Sequence, residues 1–164
     1  KYKSSYFEKY ENVWHHGDFA KITSNNGFVI FGRSDTTLNP GGVRLGTAEI
    51  YNVVEKFKEV QESIVIGQTW KNDVRIILFV VLNEGYNLTD EIKDKIKKTI
   101  KMNASPRHVP SKIISILDIP KTKNGKLVEI AVKKTVDGET IKNLDAIANP
   151  DSLKQFKNIR ELNE

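Results

Sequence analysis

The chain has 164 residues, 26 basic and 21 acidic side chains, a net charge of +5 and no cysteine. That length suits one domain with a full core, with room for a small attached piece. The missing cysteines exclude a disulfide framework and cysteine-ligated metal, and are compatible with a cytoplasmic home. No apolar run reaches the roughly 18 residues that span a bilayer, so no membrane partner is expected. The basic excess is mostly lysine interleaved with acidic residues; it fits a polyanionic small ligand, while the lack of a dense basic run argues against nucleic acid. The first residues, Lys1 to Phe7, carry neither methionine nor a secretory signal pattern, and the chain reads as a piece of a longer protein.

In chain order, Asn12-Val13-Trp14-His15 is a candidate strand ending in Gly17-Asp18. Phe19 to Thr23 alternates apolar and polar residues, Ser24-Asn25-Asn26-Gly27 is a turn signal, and Phe28 to Phe31 is the return strand. Gly32-Arg33-Ser34-Asp35 breaks the pattern and marks the clearest boundary. His15 and His16 lie beside Asp18, but neighbours on a strand face opposite ways, so packing or hydrogen bonding is expected rather than metal ligation. Residues 36–46 read as a small hairpin turning at Asn39-Pro40-Gly41-Gly42. The glycine pair fits close approach by a ligand and a plain tight turn equally well. Thr47 is a candidate cap for a helix to about Lys58, with Ile50, Val53, Val54 and Phe57 at helical spacing.

Val60 to Gly67 is strand-like, and Asn72-Asp73 turns into the strongest strand, Val74 to Leu82, whose near-continuous apolar run implies burial on both faces. Thr89-Asp90-Glu91 opens a helix with Ile92, Ile96 and Ile100 on one face, ended by Asn103-Ala104-Ser105-Pro106. A third core strand runs over Lys112–Leu117. Val128 to Thr135 is helical up to Asp137-Gly138, and Asp151 to Leu162 is a weaker helical stretch after Asn149-Pro150. The fold class is α+β: a small three-stranded sheet packed by helices and preceded by β-hairpins.

The stretch with most chemical content is Pro120-Lys121-Thr122-Lys123-Asn124-Gly125-Lys126. Pro120 stops the strand before it, and Asn124-Gly125 favours a turn because both residues accept positive φ. Lys126 then sits just past the tip, a compact positive charge suited to a phosphate or a developing oxyanion. Taken alone, the motif also fits a solvated lysine in a lysine-rich chain.

Four motifs occur in order: Gly17-Asp18; Gly32-Arg33-Ser34-Asp35; Gly41-Gly42-Val43-Arg44-Leu45-Gly46-Thr47-Ala48-Glu49-Ile50; and the Lys126 stretch. Together they resemble the C-terminal region of the adenylate-forming acyl-CoA synthetases. The stretches from Gly32 to Tyr51 and from Asn103 to Pro110, with Asn143 to Pro150, are most similar to the acetoacetate-activating branch. The resemblance implies residues 1–35 as the end of a large N-terminal adenylation domain and 36–164 as a mobile C-terminal domain. It implies an AMP-forming acid–thiol ligase using magnesium-bound ATP, coenzyme A and acetoacetate as substrates, with no metal bound by this stretch. Other short-chain acids, acetate or propionate, and a non-catalytic nucleotide-binding or docking module are the alternatives.

By the same resemblance, Lys126 matches the catalytic lysine of adenylation, Asp18 and Arg33 the residues at the nucleotide's ribose, and Asp35 the hinge. Gly41, Gly42 and Arg44 match the loop that meets coenzyme A, and Lys97 a basic residue near its nucleotide end. The family's glycine-rich phosphate loop and acyl pocket have no counterpart here, so this chain alone is expected not to catalyse the full reaction. Thr36, Asn39 and the run Gly41-Gly42-Val43-Arg44 depart from many relatives, which have aspartate, lysine and Ser-Gly-His-Arg there.

Overall fold

The structure, a computed structural model, describes residues 2–141 and 143–164. It opens with a short helix α1, Tyr2–Tyr6, followed by a loop and a hairpin of β1, Asp18–Ile22, and β2, Phe28–Arg33. The expected strand at Asn12–His15 does not form. Asn12 takes a φ of +58°, which an extended strand cannot contain. The Trp14 ring instead stacks on Tyr6, with centroids 4.2 Å apart, and meets Phe7 edge-on. The hairpin itself matches expectation, with Ile22 opposite Phe28 and Asp18 opposite Arg33. Its turn is closed by Thr23, whose hydroxyl oxygen accepts from Gly27 N–H at 3.0 Å.

Leu38 and Leu45 make the single antiparallel pair of the next small hairpin, around a one-turn helix at Pro40–Gly42. Both leucines are buried, so their burial holds together what is too short to persist alone. Helix α2 spans Thr47–Val54. Its cap is Gly46, not Thr47, and it stops at Val54 rather than near Lys58. A side chain at Gly46 has no room: a Cβ there would stand 2.6 Å from Phe31 Cβ and overlap the Phe31 carbonyl oxygen. Thr47 is thereby drawn into the first helical position and buried. Phe57 still reaches the core, through turns that join the helix to the next strand rather than through more helix.

Strands β3, Val60–Trp70, and β4, Asp73–Leu82, form a long antiparallel pair. Lys71 and Asn72 make the turn, both at positive φ, the backbone a two-residue hairpin favours. Helix α3, Asp90–Asn103, leads back to β5, Lys112–Ser115, which lies parallel to β4. The crossover helix is what a parallel neighbour requires. Thr89 caps α3 by accepting from Ile92 N–H, and Asp90 and Glu91 in the first turn complement the helix dipole. The sheet order is β3-β4-β5, so β4 is central, as its apolar run implies.

Alternation along β3 and β4 divides the core in two. Val65, Ile76, Leu78 and Val80 face α2 and α3. Ile64, Ile66, Ile77 and Phe79 face the other way, towards helix α4, Glu129–Val136, and the C-terminal segment. That segment is not one helix over Asp151–Leu162. It is a 3-10 turn at Pro150–Phe156 and another at Arg160–Leu162, separated because Lys157 is extended and Asn158 has a φ of +54°. Leu153, Phe156 and Leu162 are nevertheless buried, which keeps this irregular chain on the sheet.

Candidate active site

The Lys126 loop leaves β5 through Ile119, which is fully buried. Its stem pairs on both sides: Lys121 is bridged to Leu127, and Thr122 to Ile147. Thr122 N–H donates to Lys126 O at 2.8 Å, and Lys126 N–H donates back to Thr122 Oγ1 at 3.1 Å. Gly125 N–H closes the turn on Thr122 O at 2.8 Å. Of the Asn124-Gly125 pair only Gly125 takes positive φ, at +75°. The stem is also tied down by residues far away in sequence. Lys121 Nζ meets Glu62 Oε1 of β3 at 2.5 Å, and Lys121 N–H donates to Asn149 Oδ1 at 2.9 Å. Asn149 in turn donates to the Ile119 carbonyl and the Asp118 carboxylate. The result is an exposed lysine side chain on a braced backbone.

Lys126 borders a cleft of about 450 Å³ that Arg33, Asp35, Thr36, Glu129 and Lys134 also line. Three of the eight sequence candidates, Arg33, Asp35 and Lys126, thus come together. Arg33 is forked onto Asp35, with Nε at 3.2 Å from one carboxylate oxygen and Nη2 at 3.1 Å from the other. Its Nη1 donates to the His16 carbonyl at 3.2 Å. The hydrogen bonds to Asp35 raise the Arg33 pKa above its ordinary value, against a smaller opposing effect of burial. Asp18 stands outside the cleft lining, one strand over from Arg33, with its carboxylate 2.6 Å from His16 Nδ1. That contact is the hydrogen bond anticipated for the histidine pair.

The other four candidates do not line this cleft. Gly41 and Gly42 take φ of +58° and +77°, and a Cβ on either would meet nothing within 4 Å. Their loop is an exposed turn whose backbone is open to an approaching ligand. Gly41 N–H donates to both oxygens of Asp73 at the start of β4, at 2.9 and 3.1 Å. Arg44 is exposed, and Lys97 is half-buried on α3. Six of the eight candidates therefore fall in two groups, Arg33, Asp35 and Lys126 in the cleft and Gly41, Gly42 and Arg44 at the glycine turn, with Asp18 beside the first and Lys97 on α3.

Sequence reading missed Glu62, Asp73, Glu129 and Asn149. Each acts through a partner at least 28 residues away, apart from Asp73's contact with its own neighbour. Only Asn149 carried a local signal, its place before Pro150. Among the described residues no group of three or more His, Asp or Glu is placed to hold a metal, and no helix is long and apolar enough to cross a membrane.

Residues 49–126 match the family described as the AMP-binding enzyme C-terminal domain. Over 99% of its length the chain is 56% identical to acetoacetyl-coenzyme A synthetase of Rhizobium meliloti (strain 1021), covering 25% of that protein. It is 43% identical to acetoacetyl-CoA synthetase of Rattus norvegicus, again covering 25% of the relative. The solved acetoacetyl-CoA synthetase from Streptomyces lividans superposes with a TM-score of 0.88 at 42% identity, over 99% of this chain and 25% of that one. The chain thus spans about a quarter of the length of the relatives it matches. It carries a match to the AMP-binding enzyme C-terminal domain over residues 49–126, ending at Lys126, and along its whole length it is similar to the C-terminal part of acetoacetyl-CoA synthetases.

Proposed function

We propose that this chain is the C-terminal portion of an AMP-forming acetoacetate–CoA ligase, residues 1–35 closing a large adenylation domain and 36–164 forming the mobile domain. The observation that carries the reading is the braced backbone of Lys126, which holds an exposed ammonium beside the Arg33–Asp35 pair in one cleft. In the first step a carboxylate oxygen of acetoacetate attacks the α-phosphorus of ATP, the bond to the β-phosphate oxygen breaks, and pyrophosphate leaves. Magnesium arrives on the ATP phosphates as part of that substrate. Lys126 lies between carboxylate and α-phosphate as charge crowds there, which is electrostatic stabilisation and positioning rather than proton transfer.

Asp18 accepts from the ribose hydroxyls, as an ionised carboxylate can, and Arg33 adds a donor beside it. In the second step the thiol of coenzyme A loses its proton to solvent, its sulfur attacks the acyl carbon, and AMP leaves with the bonding electrons. Rotation about Asp35 brings the Gly41-Gly42 turn to the reacting centre for this step. Its bare backbone admits the thiol arm, and Arg44 and Lys97 meet coenzyme A phosphates. The large domain of the same polypeptide is the obligate partner, since it supplies the acyl pocket.

The test uses full-length protein, wild type against Lys126→Ala, with acetoacetate, acetate and propionate. The expected result is a preference for acetoacetate and, in the variant, a fall of about a hundredfold or more in adenylation, with thioester formation from preformed acyl-adenylate largely kept. Normal adenylation in the variant overturns the reading, and the same outcome would favour a docking module.

A further inference from the structure

Three residues beyond Lys126 stands a carboxylate that the ligase reading does not use. Glu129 is the first residue of α4. Its Oε1 accepts from the Tyr51 hydroxyl at 2.5 Å, and that hydroxyl accepts from Val65 N–H at 3.1 Å. A phenol can do both, having one proton to give and lone pairs to receive. The Val65 amide would otherwise be a bare donor, because β3 is an edge of the sheet. Tyr51 lies in the middle of α2, so the chain of hydrogen bonds runs from α4 through α2 to the sheet.

The same carboxyl faces the hinge. Asp35 and Thr36 line the same two cavities as Glu129, and burial raises the Glu129 pKa while the Tyr51 hydroxyl lowers it and Asp35 adds to the rise. Thr36 is itself fixed to the hinge turn, its hydroxyl donating to Arg33 O at 3.2 Å. A cavity of about 20 Å³ bounded by Asp35, Thr36, Gly67, Glu129 and Lys133 separates this turn from β3. Glu129 therefore begins the helix that follows the Lys126 loop, is bonded to Tyr51 of α2, and faces the Asp35-Thr36 turn across a small shared cavity.

We propose that the Glu129–Tyr51 pair is a positioning latch: it fixes the hinge turn at Asp35-Thr36 against the Lys126 loop, and so sets how the enzyme divides its time between adenylation and thioester formation. The proposal rests on the ligase reading given above. Lining the cleft makes Glu129 a neighbour of the chemistry, and its side-chain hydrogen bond is to Tyr51. It acts by holding rather than by reacting. Latch strength is a coupling between two local arrangements, so a modest change in it changes their ratio.

The test uses the full-length protein with Tyr51→Phe, Glu129→Leu and Glu129→Gln. Phenylalanine removes the shared hydroxyl. Leucine removes the acceptor at similar volume. Glutamine keeps an acceptor oxygen and loses the charge. The first two are expected to change the ratio of the two half-reaction rates by roughly five-fold or more, and to speed amide hydrogen exchange at residues 34–37 by about ten-fold. Glutamine is expected to restore most of both, and the Tyr51→Phe/Glu129→Leu double variant to add little to either single one. Equal loss in both half-reactions with unchanged exchange at residues 34–37 overturns the latch. Tyr51→Phe is the mildest change and keeps the test valid if Glu129→Leu fails to fold. Lys126→Ala run in parallel separates the two claims: if it leaves adenylation intact the ligase reading fails, while the hydrogen-exchange readout still decides on the latch.

Discussion

Thr122 and Lys126 hold one another by two hydrogen bonds, the Thr122 amide to the Lys126 carbonyl and the Lys126 amide to the Thr122 hydroxyl. The catalytic role proposed for Lys126 depends on this closure, because a long flexible side chain gains precision only from a fixed root. Thr122→Val keeps shape and β-branching but cannot accept the Lys126 amide. It is expected to cost about 1 kcal/mol of loop stability and to slow adenylation in the full-length protein by about five-fold, with thioester formation much less affected. Thr122→Ser keeps the acceptor and should stay near wild type. Pyrophosphate exchange with ATP measures the first effect, and equal rates for valine and serine would show that the loop needs no such closure.

Glu129 gives the fold a pH dependence of definite sign. Burial is the main cause that raises its pKa, with Asp35 adding to it and the hydroxyls of Tyr51, Thr36 and Thr47 opposing. Lys133 and Glu55 also lie close to the pair, and Arg33, Lys126 and Lys134 line the same cleft as Glu129. A carboxyl whose folded pKa lies above its unfolded value binds its proton more tightly when folded. Its contribution to stability is thus full below the unfolded pKa, and is lost as pH rises from there through the raised folded value. Glu129→Gln does not titrate, so the variant should lose less stability than wild type across that window. Urea midpoints of this chain, taken stepwise from about pH 4 to pH 8, measure the difference. Parallel curves for the two proteins would show that Glu129 is not the group responsible.

Much of this architecture is readable from local pattern. The apolar run of β4, the capped Thr89 helix and the Asn25-Asn26-Gly27 turn each carry their own signal, and each forms where its residues indicate. The failures have a common cause. Thr47 has good capping chemistry, yet Gly46 takes the cap because only glycine fits against Phe31, a contact across 14 intervening positions that no local window contains. Asn12–His15 reads as a candidate strand, but Asn12 takes positive φ and Trp14 stacks on Tyr6 instead. The eight candidate residues came from motifs, and motifs fix chemistry rather than location. Nothing local indicates that Arg33 and Lys126 share a cleft while Arg44 and Lys97 lie elsewhere. Glu129 is the clearest case: before folding it is one acidic residue among many, and its setting appears only when α2, α4 and the Asp35-Thr36 turn come together around one cavity.

The C-terminal segment offers a last test, because it has only 3-10 turns and leans on packing together with a few hydrogen bonds from Arg75 and Gln155. Phe156 is fully buried and meets Phe79 of the central strand edge to face, with centroids 4.9 Å apart at 82°. Phe156→Ala would remove that ring from a site walled by Ile64, Ile66 and Ile77. The expected loss is about 3–5 kcal/mol, while Phe156→Leu, which refills most of the volume, should cost less than half as much. The loss should not stay local. Asn149, which braces Lys121 and the Ile119 carbonyl, lies just before the same 3-10 segment. Once Phe156 no longer holds the segment down, the Lys126 loop loses one of its supports. Hydrogen exchange at Lys121, read alongside urea denaturation, should therefore quicken in Phe156→Ala beyond what Phe156→Leu produces. If Lys121 exchange stays at the wild-type rate in the alanine variant, Asn149 holds the loop without help from the packed tail.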